Sequence, residues 1–547
     1  MKSAIALVVA TLWTSGATIA YVAGPAVAVF VEKFIQEVSE LGLVVNLDKC
    51  EAIPAAGANT TVDRDAFRNF QWKEDGNFKL LGAPFGSSSF ITEHVASRVT
   101  KATSLLSNIA NYPDPQGALL LIRQCCSWCK VVYSSRTVPP DLQMSALESF
   151  SNSLRSSLGT LLGDTLEDRQ WAQAGFSLSD GGLGIRDPAV HASAAYLASL
   201  SATSDLCTTI DPSFDATDAC GGLRLLVTKT SFQSRVPEAA AVDGLNASQK
   251  SLSGFIDAGI RHRMLSENGV PPIFLSHFAL CCLPGSAAWL TASPTRDGRN
   301  IDGPLFVVAL RRRLRMKIFD EECHCPCCGD TMDIWGDHCL CCPCAGDRVV
   351  RHNAIRDIIY KDSRESGLAA EREKAGLLPP RSREEGLPVS PSARRPADVW
   401  QPRGISGASE AWDFSISSGL AAQFRDRAAS HPEEVIALIE NRKKTYLNTE
   451  EVCNAAGFQF VFTILEAHGG GWSPSFRKAV NWIAAAGAAR GIDTKAAWSL
   501  QMAQRISCSL QRENAHAILR RTAAQSLATA PAVQVVAEDV DATMAFQ

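Results

Sequence analysis

The chain has 547 residues, 46% hydrophobic and 20% charged, with a formal net charge of −4 at pH 7. That length exceeds a single core at roughly 100–200 residues per domain, and the composition excludes a small peptide, global disorder and a polytopic membrane protein. The near-neutral balance supplies no overall cationic field, so contact with a polyanion has to come from local basic patches.

From Ser3 to Phe30 no residue is charged. Two readings fit: a signal peptide or membrane span, which would use residues 1–31 to reach the membrane or secretory pathway, or a buried strand pair broken at Ser15-Gly16 and Gly24-Pro25. Val27, Phe30, Val31, Phe34, Ile35, Val38 and Leu41 predict an amphipathic helix over 26–43 that stops at Gly42 and leads into a strand-like run, Leu43 to Leu47. Residues 89–162 read as helices, with Ile91, Val95, Val99, Ala102, Leu105 and Ile109 on one face and a stop at Pro113-Asp114-Pro115.

Eight of the 18 cysteines fall between Cys323 and Cys344. The others are scattered, several as adjacent pairs that cannot staple distant segments, so a reducing compartment (nucleus or cytoplasm) suits the chain better than a disulfide framework. Cys325 and Cys328 stand on one turn, with His338 and Cys342 four positions apart beyond them. Two thiolates from one turn, closed by a histidine and a third thiolate, make a four-ligand structural Zn²⁺ site with no open position for catalysis. Cys323, Cys327, Cys339, Cys341 and Cys344 offer another register. Just upstream, Arg311, Arg312, Arg313, Arg315 and Lys317 suit phosphate binding by counterion release or a solvated helix face, since Asp320, Glu321 and Glu322 follow at once.

Beyond the cysteines, Arg351-His352-Asn353 opens a helical pattern through Ile355, Ile358 and Ile359. Glu371 follows, then a loop with Pro379, Pro380, Pro388 and Pro391. Next come Asp398 in Arg395-Pro396-Ala397-Asp398-Val399-Trp400 and Asp413 in Ala411-Trp412-Asp413-Phe414. The apolar flanks of each aspartate predict adjacent strands, which would bring both carboxylates to one sheet edge, where they can bind Mg²⁺ and activate water. For His352 a structural hydrogen bond or accessory ligand fits better than a general base, and Glu371, beside Arg372 and Lys374, equally fits an exposed helix face. Phe458 to Leu465 reads as a buried strand entering Gly469-Gly470-Gly471, which is no phosphate loop because Lys-Ser/Thr does not follow. The tail from Ser475 to about residue 530 reads as helices.

The order of Glu40–Glu51 (ELGLVVNLDKCE), Lys79–Gly86 (KLLGAPFG), Gln170-Trp171, Gly181–Ile185 (GGLGI), Ala288–Ala292 (AWLTA) and the Cys-Cys-His-Cys set resembles the carboxy-terminal part of non-LTR retrotransposon reverse transcriptase polyproteins. The resemblance implies an α+β multidomain chain with a mostly helical amino-terminal half. Its parts would be a palm remnant lacking catalytic aspartates (1–86), a thumb-like helical region (87–165), a helical connector (166–320), a zinc knuckle (321–346), an α/β restriction-like endonuclease (347–472) and a helical tail (473–547). It makes Asp398 and Asp413 the metal carboxylates, Glu371 a third acid, and DNA or RNA the partner, gripped through Arg311, Arg312, Arg313, Arg315, Lys317 and Arg351. No small-molecule substrate is implied.

Two departures qualify the endonuclease part. Ala397 separates Pro396 from Asp398, and Ser415 stands where many such nucleases carry Lys. A helix can supply the lysine instead; Lys443 and Lys444 are available, and Lys444 is chosen. Thr18–Val22 occupies the place of the polymerase Tyr-x-Asp-Asp turn and the first acidic residue is Glu32, so polymerisation is not expected without a complete reverse transcriptase in trans. Two rival readings are a catalytically decayed, zinc-stabilised nucleic-acid-binding protein and a membrane-tethered or secreted protein reusing the cassette.

Overall fold

A computed structural model of the chain describes residues 5–11, 17–23, 26–53, 64–210, 212, 222–236, 247–267, 269–379 and 396–522. The Pro380, Pro388 and Pro391 segment, the breaks at Ser15-Gly16 and Gly24-Pro25, and the end of the tail lie outside them. The fold is α+β, mostly helical with small sheets, and divides into two compact units: 1–102 with 130–151 and 188–254, and 103–129 with 152–187 and 255–547.

In the first unit, β1 (Ile5–Thr11) and β2 (Ala17–Ala23) pair antiparallel from Ile5 with Ala23 to Thr11 with Ala17. Helix α1 (Ala26–Glu40) follows, then β3 (Glu51–Ile53), antiparallel to β1, and β4 (Gln71–Trp72), parallel to β3. The uncharged amino-terminal run is therefore a strand pair, and among the described residues no helix is long and apolar enough to cross a membrane. The strand expected at Leu43 to Leu47 does not form. Gly42 adopts φ 75° and the Leu43 amide caps the helix on the Val38 carbonyl. Leu43 and Val44 are exposed, so no alternating buried face exists, and the strand starts at Glu51.

A hairpin of β5 (Phe78–Leu80) and β6 (Ala83–Phe85) precedes α2 (Ser88–Ala110). Val95, Val99, Ala102 and Ile109 of α2 are buried as expected, but Leu106 rather than Leu105 completes the stripe. Asp114 then starts α3 (Pro115–Cys125), its carboxylate accepting from the Gln116 and Gly117 amides. Helices α4 (Val132–Thr137), α5 (Met144–Leu162), α6 (Asp168–Gly175), α7 (Pro188–Ile210), α8 (Gly222–Gln233), α9 (Gln249–Ser266), α10 (Pro272–Cys281) and α11 (Gly303–Arg313) follow.

The rest of the second unit carries the chemistry. A small hairpin, β7 (Cys323–His324) with β8 (Thr331–Met332), leads through α12 (Asp337–Cys341) into α13 (Asp347–Glu365). Strands β9 (Glu371–Arg372), β10 (Val399–Gln401) and β11 (Glu410–Ser417) form an antiparallel meander. After α14 (Arg425–Ser430), α15 (Pro432–Thr445) and α16 (Thr449–Ala455) the chain returns as β12 (Gln459–Glu466), parallel to β11, so the sheet order is β12-β11-β10-β9. Helices α17 (Pro474–Ala489) and α18 (Lys495–Thr522) close the unit.

Strand alternation sorts the side chains of this sheet. Val399, Trp412, Phe414 and Leu465 pack on one face against Ile355 and Ile359 of α13, Phe476 and Val480 of α17, and Met502 and Ile506 of α18. Trp400, Ala411, Phe460, Phe462 and Ile464 pack on the other against Val435, Ile436 and Ile439 of α15. A sheet covered on both faces leaves its strand ends and edges as the places where polar groups can gather.

Candidate metal centre and acidic site

The β7–β8 hairpin builds half of a metal site. The Cys325 amide donates to the Asp330 carbonyl and the Gly329 amide to the Cys325 carbonyl, a turn that needs the positive φ of 81° at Gly329. Asp333 builds the other half: its carboxylate accepts from the Trp335, Asp337 and His338 amides and fixes the start of α12. Cys325, Cys328, His338 and Cys342 consequently bring four ligand atoms within 4.8 Å of one another. Cys325 Sγ lies 4.0 Å from Cys342 Sγ, and Cys328 Sγ 3.2 Å from His338 Nε2. Ligands at about 2.0–2.3 Å from a tetrahedral ion stand about 3.5–3.8 Å apart, so the group can hold a metal ion, and its donor set is compatible with structural zinc. Among the described residues it is the only such group of three or more ligating side chains.

The site is supported from behind by Arg521 of α18, whose side chain is fully buried. Its Nη1 donates to Asp347 Oδ2 at 2.6 Å and to the Ala517 carbonyl, Nε and Nη2 have no hydrogen-bond partner, and the guanidinium as a whole lies near enough to the Cys342 and Cys325 sulfurs to favour their thiolates. Burial raises the Cys325 thiol, but the Cys327 and Cys328 amides and the Arg521 guanidinium outweigh it and bring it down to about 6. A buried cluster ties the knuckle to the sheet: Asp337 lies 2.6 Å from Arg315 Nη2, 3.3 Å from Arg312 Nη2 and 3.3 Å from His468 Nδ1. Burial opposes its charge, yet His468 and Arg315 hold it well below the usual carboxylate range.

The two aspartates meet. One step beyond the pair of Val399 with Trp412, Asp398 faces Asp413 across β10 and β11, and its amide donates to the Trp412 carbonyl. Asp398 Oδ2 accepts from the Phe414 amide at 2.8 Å and from His352 Nε2 at 3.1 Å. Burial, then the Asp398 charge, push the Asp413 carboxyl up to about 7 against the pull of Lys443 and His352. The Asp398 hydrogen bond, against burial, raises His352 to about 9. The histidine is thus a proton-holding partner of Asp398.

Lys443, rather than Lys444, is the lysine beside the pair. Its Nζ lies 5.5 Å above the ring of Phe462, the parallel partner of Asp413. Lys444 instead pairs with Glu440 Oε1, four residues back on α15, at 3.3 Å. Glu371 is exposed on β9 and paired with Lys374 Nζ at 2.8 Å. Ser415 Oγ lies 3.1 Å from Ser417 Oγ.

The basic stripe is corrected by the structure. Arg312, Arg313 and Arg315 are buried, and so is Arg351. Arg313 donates to the carbonyls of Gly182, Ser286 and Leu178, Arg311 to those of Leu162 and Gly163, and Arg351 to Asn514 Oδ1 and the Leu340 carbonyl. Arg311 and Arg313 cap loops and helix ends, Arg351 does so through its two Nη atoms while its Nε keeps no partner, and of the stretch only Lys317 is fully exposed. The Gly181-Gly182 pair has the same structural origin: a Cβ on Gly182 would stand 2.2 Å from the Phe176 carbonyl oxygen. Gly469 likewise admits no Cβ, which would lie 2.4 Å from the Leu280 oxygen.

Sequence reasoning missed Arg348 and Arg442. Both line a cavity of about 620 Å³ together with Arg351, Lys443, Tyr446 and Ser415. The signal for Arg348 was its place one turn before His352 on a helix. No protein-family model matches the chain, and no curated protein matches it either.

Proposed function

We propose that the chain is a retrotransposon-derived, zinc-stabilised nucleic-acid-binding protein whose residues 347–472 act as a Mg²⁺-dependent DNA endonuclease that nicks one strand. The observation that carries the reading is the meeting of Asp398 and Asp413 on neighbouring strands with Lys443 beside them. The order of elements is compatible with it: a helix, a three-stranded meander, a helical crossover and a parallel fourth strand place both aspartates at one end of a covered sheet. Asp398 and Asp413 would hold the ion, which supplies a polarised phosphate and an activated water. Asp413, whose carboxyl is pushed up to about 7, would serve as a ligand in its deprotonated form. His352 keeps Asp398 oriented, and Lys443 neutralises charge on the phosphate oxygens. Cys325, Cys328, His338 and Cys342 would hold Zn²⁺, which contributes folding energy and no chemistry.

Ser415 at the usual lysine position favours the rival reading, a binding protein whose centre has decayed. Supercoiled plasmid incubated with the full chain and Mg²⁺ separates the two. Nicking that disappears in Asp398→Asn and in Asp413→Asn supports the nuclease; DNA binding without nicking supports the decayed form.

A further inference from the structure

Beside the acidic pair lies the 620 Å³ cavity, which shares Lys443 with it. Four of the lining residues, Arg348, Arg351, Arg442 and Lys443, are cations, and none of the described lining residues is acidic. Arg348, Arg442 and Lys443 are exposed and form no ion pair among the described residues. Arg351 is 4% exposed, bonds only neutral groups through its two Nη atoms, and leaves Nε without a partner. A buried guanidinium with no bonded carboxylate is costly unless a counter-charge reaches it. Cys341 and Asp347 offset part of that cost, the open side is the cavity, and the exposed Arg348, Arg442 and Lys443 around it concentrate positive potential there.

The ligand is therefore a polyanion, and the walls add a second requirement. Tyr446 is 58% exposed on the cavity, with Phe424 also lining it. An exposed aromatic among phosphate-binding cations is the arrangement that stacks an unpaired base. A volume within the range of about 300–1,000 Å³ that holds drug-sized molecules admits one or two nucleotide units. A duplex keeps its bases stacked inside and would leave Tyr446 with nothing to stack on.

We infer that this cavity receives an unpaired segment of a nucleic-acid strand, its phosphates between Arg348, Arg351 and Arg442 and a base on Tyr446. The inference rests on the nuclease reading only in placing that segment next to the scissile phosphate. It makes the substrate a strand that is single-stranded beside the cleavage point.

The test is fluorescence anisotropy of the full chain, zinc retained, in Mg²⁺-free buffer, with a labelled mixed-sequence single strand of fifteen nucleotides and its duplex. The single strand binds about tenfold more tightly, and Tyr446→Ala lowers its affinity about tenfold, as for loss of one stacked base, while duplex affinity stays constant. The double variant Arg348→Glu, Arg442→Glu weakens both and flattens the salt dependence by about two units of slope. Thermal melts that match the parent show these exposed positions leave the fold intact. Equal binding of strand and duplex, or a Tyr446→Ala variant that binds like the parent, overturns the inference. Displacement of the strand by micromolar AMP overturns it in favour of a free-nucleotide site. Because binding is read without Mg²⁺, a chain that binds the single strand yet never nicks plasmid refutes the nuclease and leaves this inference standing.

Discussion

His352 Nε2 stands 3.1 Å from Asp398 Oδ2 and 3.1 Å from the Phe414 carbonyl oxygen, so one N–H is shared between two acceptors. Nδ1 faces Asn353 Oδ1 at 3.4 Å, and with acceptors at both nitrogens the ring holds two protons. That arrangement removes His352 as a base at neutral pH and makes it the group that orients Asp398.

The same contacts set a pH dependence for the chain without Mg²⁺. His352 rises from 6.5 to about 9 on folding, and Asp413 from 3.8 to about 7. Both folded values lie above the unfolded ones, so the folded state binds more protons over those ranges and stability falls as pH rises through them. Melting in Mg²⁺-free buffer with zinc retained is expected to drop by several degrees between pH 6 and 9, a loss on the order of 2 kcal/mol after allowing for the partial exposure of His352. His352→Gln should reduce the slope above pH 7, leaving the share of His468, which Asp337 and Cys341 raise to about 9 against burial, and Asp413→Asn should reduce the slope below it. A melting temperature that is flat from pH 5 to 9 refutes the assignment.

Lys443 and Lys444 are neighbours in sequence with different roles. One faces the partner strand of Asp413, and the other neutralises Glu440. Lys443→Ala is expected to lower plasmid nicking by about 10²-fold or more, as for loss of a positioned charge at a phosphate. Lys444→Ala should leave the rate unchanged and cost only the pairing with Glu440. Time courses of supercoiled-to-nicked conversion decide it, and the reverse ranking would return the role to Lys444.

What the sequence made legible follows the range of the interactions. The Cys325, Cys328, His338 and Cys342 set was readable because a turn and a short helix present its ligands locally. Asp398 and Asp413 were readable as strand neighbours from Val399-Trp400 and Ala411-Trp412, whose alternation splits between two cores. The choice between Lys443 and Lys444 was not, because it depends on where α15 crosses β12. Nor was the fate of the arginines: Arg313 bonds carbonyls at 178, 182 and 286, and no local pattern marks a cation that caps distant loops. Leu43 to Leu47 looked like a strand because its apolar residues were counted without the carbonyls of α1 that needed capping.

Arg313 offers a direct check of that lesson. Removing its guanidinium leaves three buried carbonyls short of a donor, so Arg313→Met should destabilise the chain by about 3 kcal/mol. Lys317→Ala, at an exposed position, should leave stability unchanged. DNA affinity measured against salt should keep its slope in Arg313→Met, since a group bonded to carbonyls releases no counterions. A slope smaller by about one unit, with the melting temperature unchanged, would restore Arg313 to the phosphate contacts.

Arg521 couples the last helix to the thiolates. A site with three thiolates and one neutral histidine around Zn²⁺ carries a net charge of −1, and the Arg521 guanidinium, shared between Asp347 and the Cys325 and Cys342 sulfurs, offsets it in a buried setting. Outer-shell partners of this type typically change metal affinity by about 10- to 100-fold. Arg521→Met should therefore speed zinc transfer to a chromogenic chelator by at least about tenfold, and Arg521→Lys, which keeps the charge without the planar fork, by less. Because Asp347 also pairs with Arg520, its charge stays compensated in both variants and the fold survives to be measured. Cys327→Ser, outside the four ligands, serves as the control and should retain one zinc per chain by elemental analysis. Release from Arg521→Met at the parental rate would confine Arg521 to pairing with Asp347 and detach it from the metal centre.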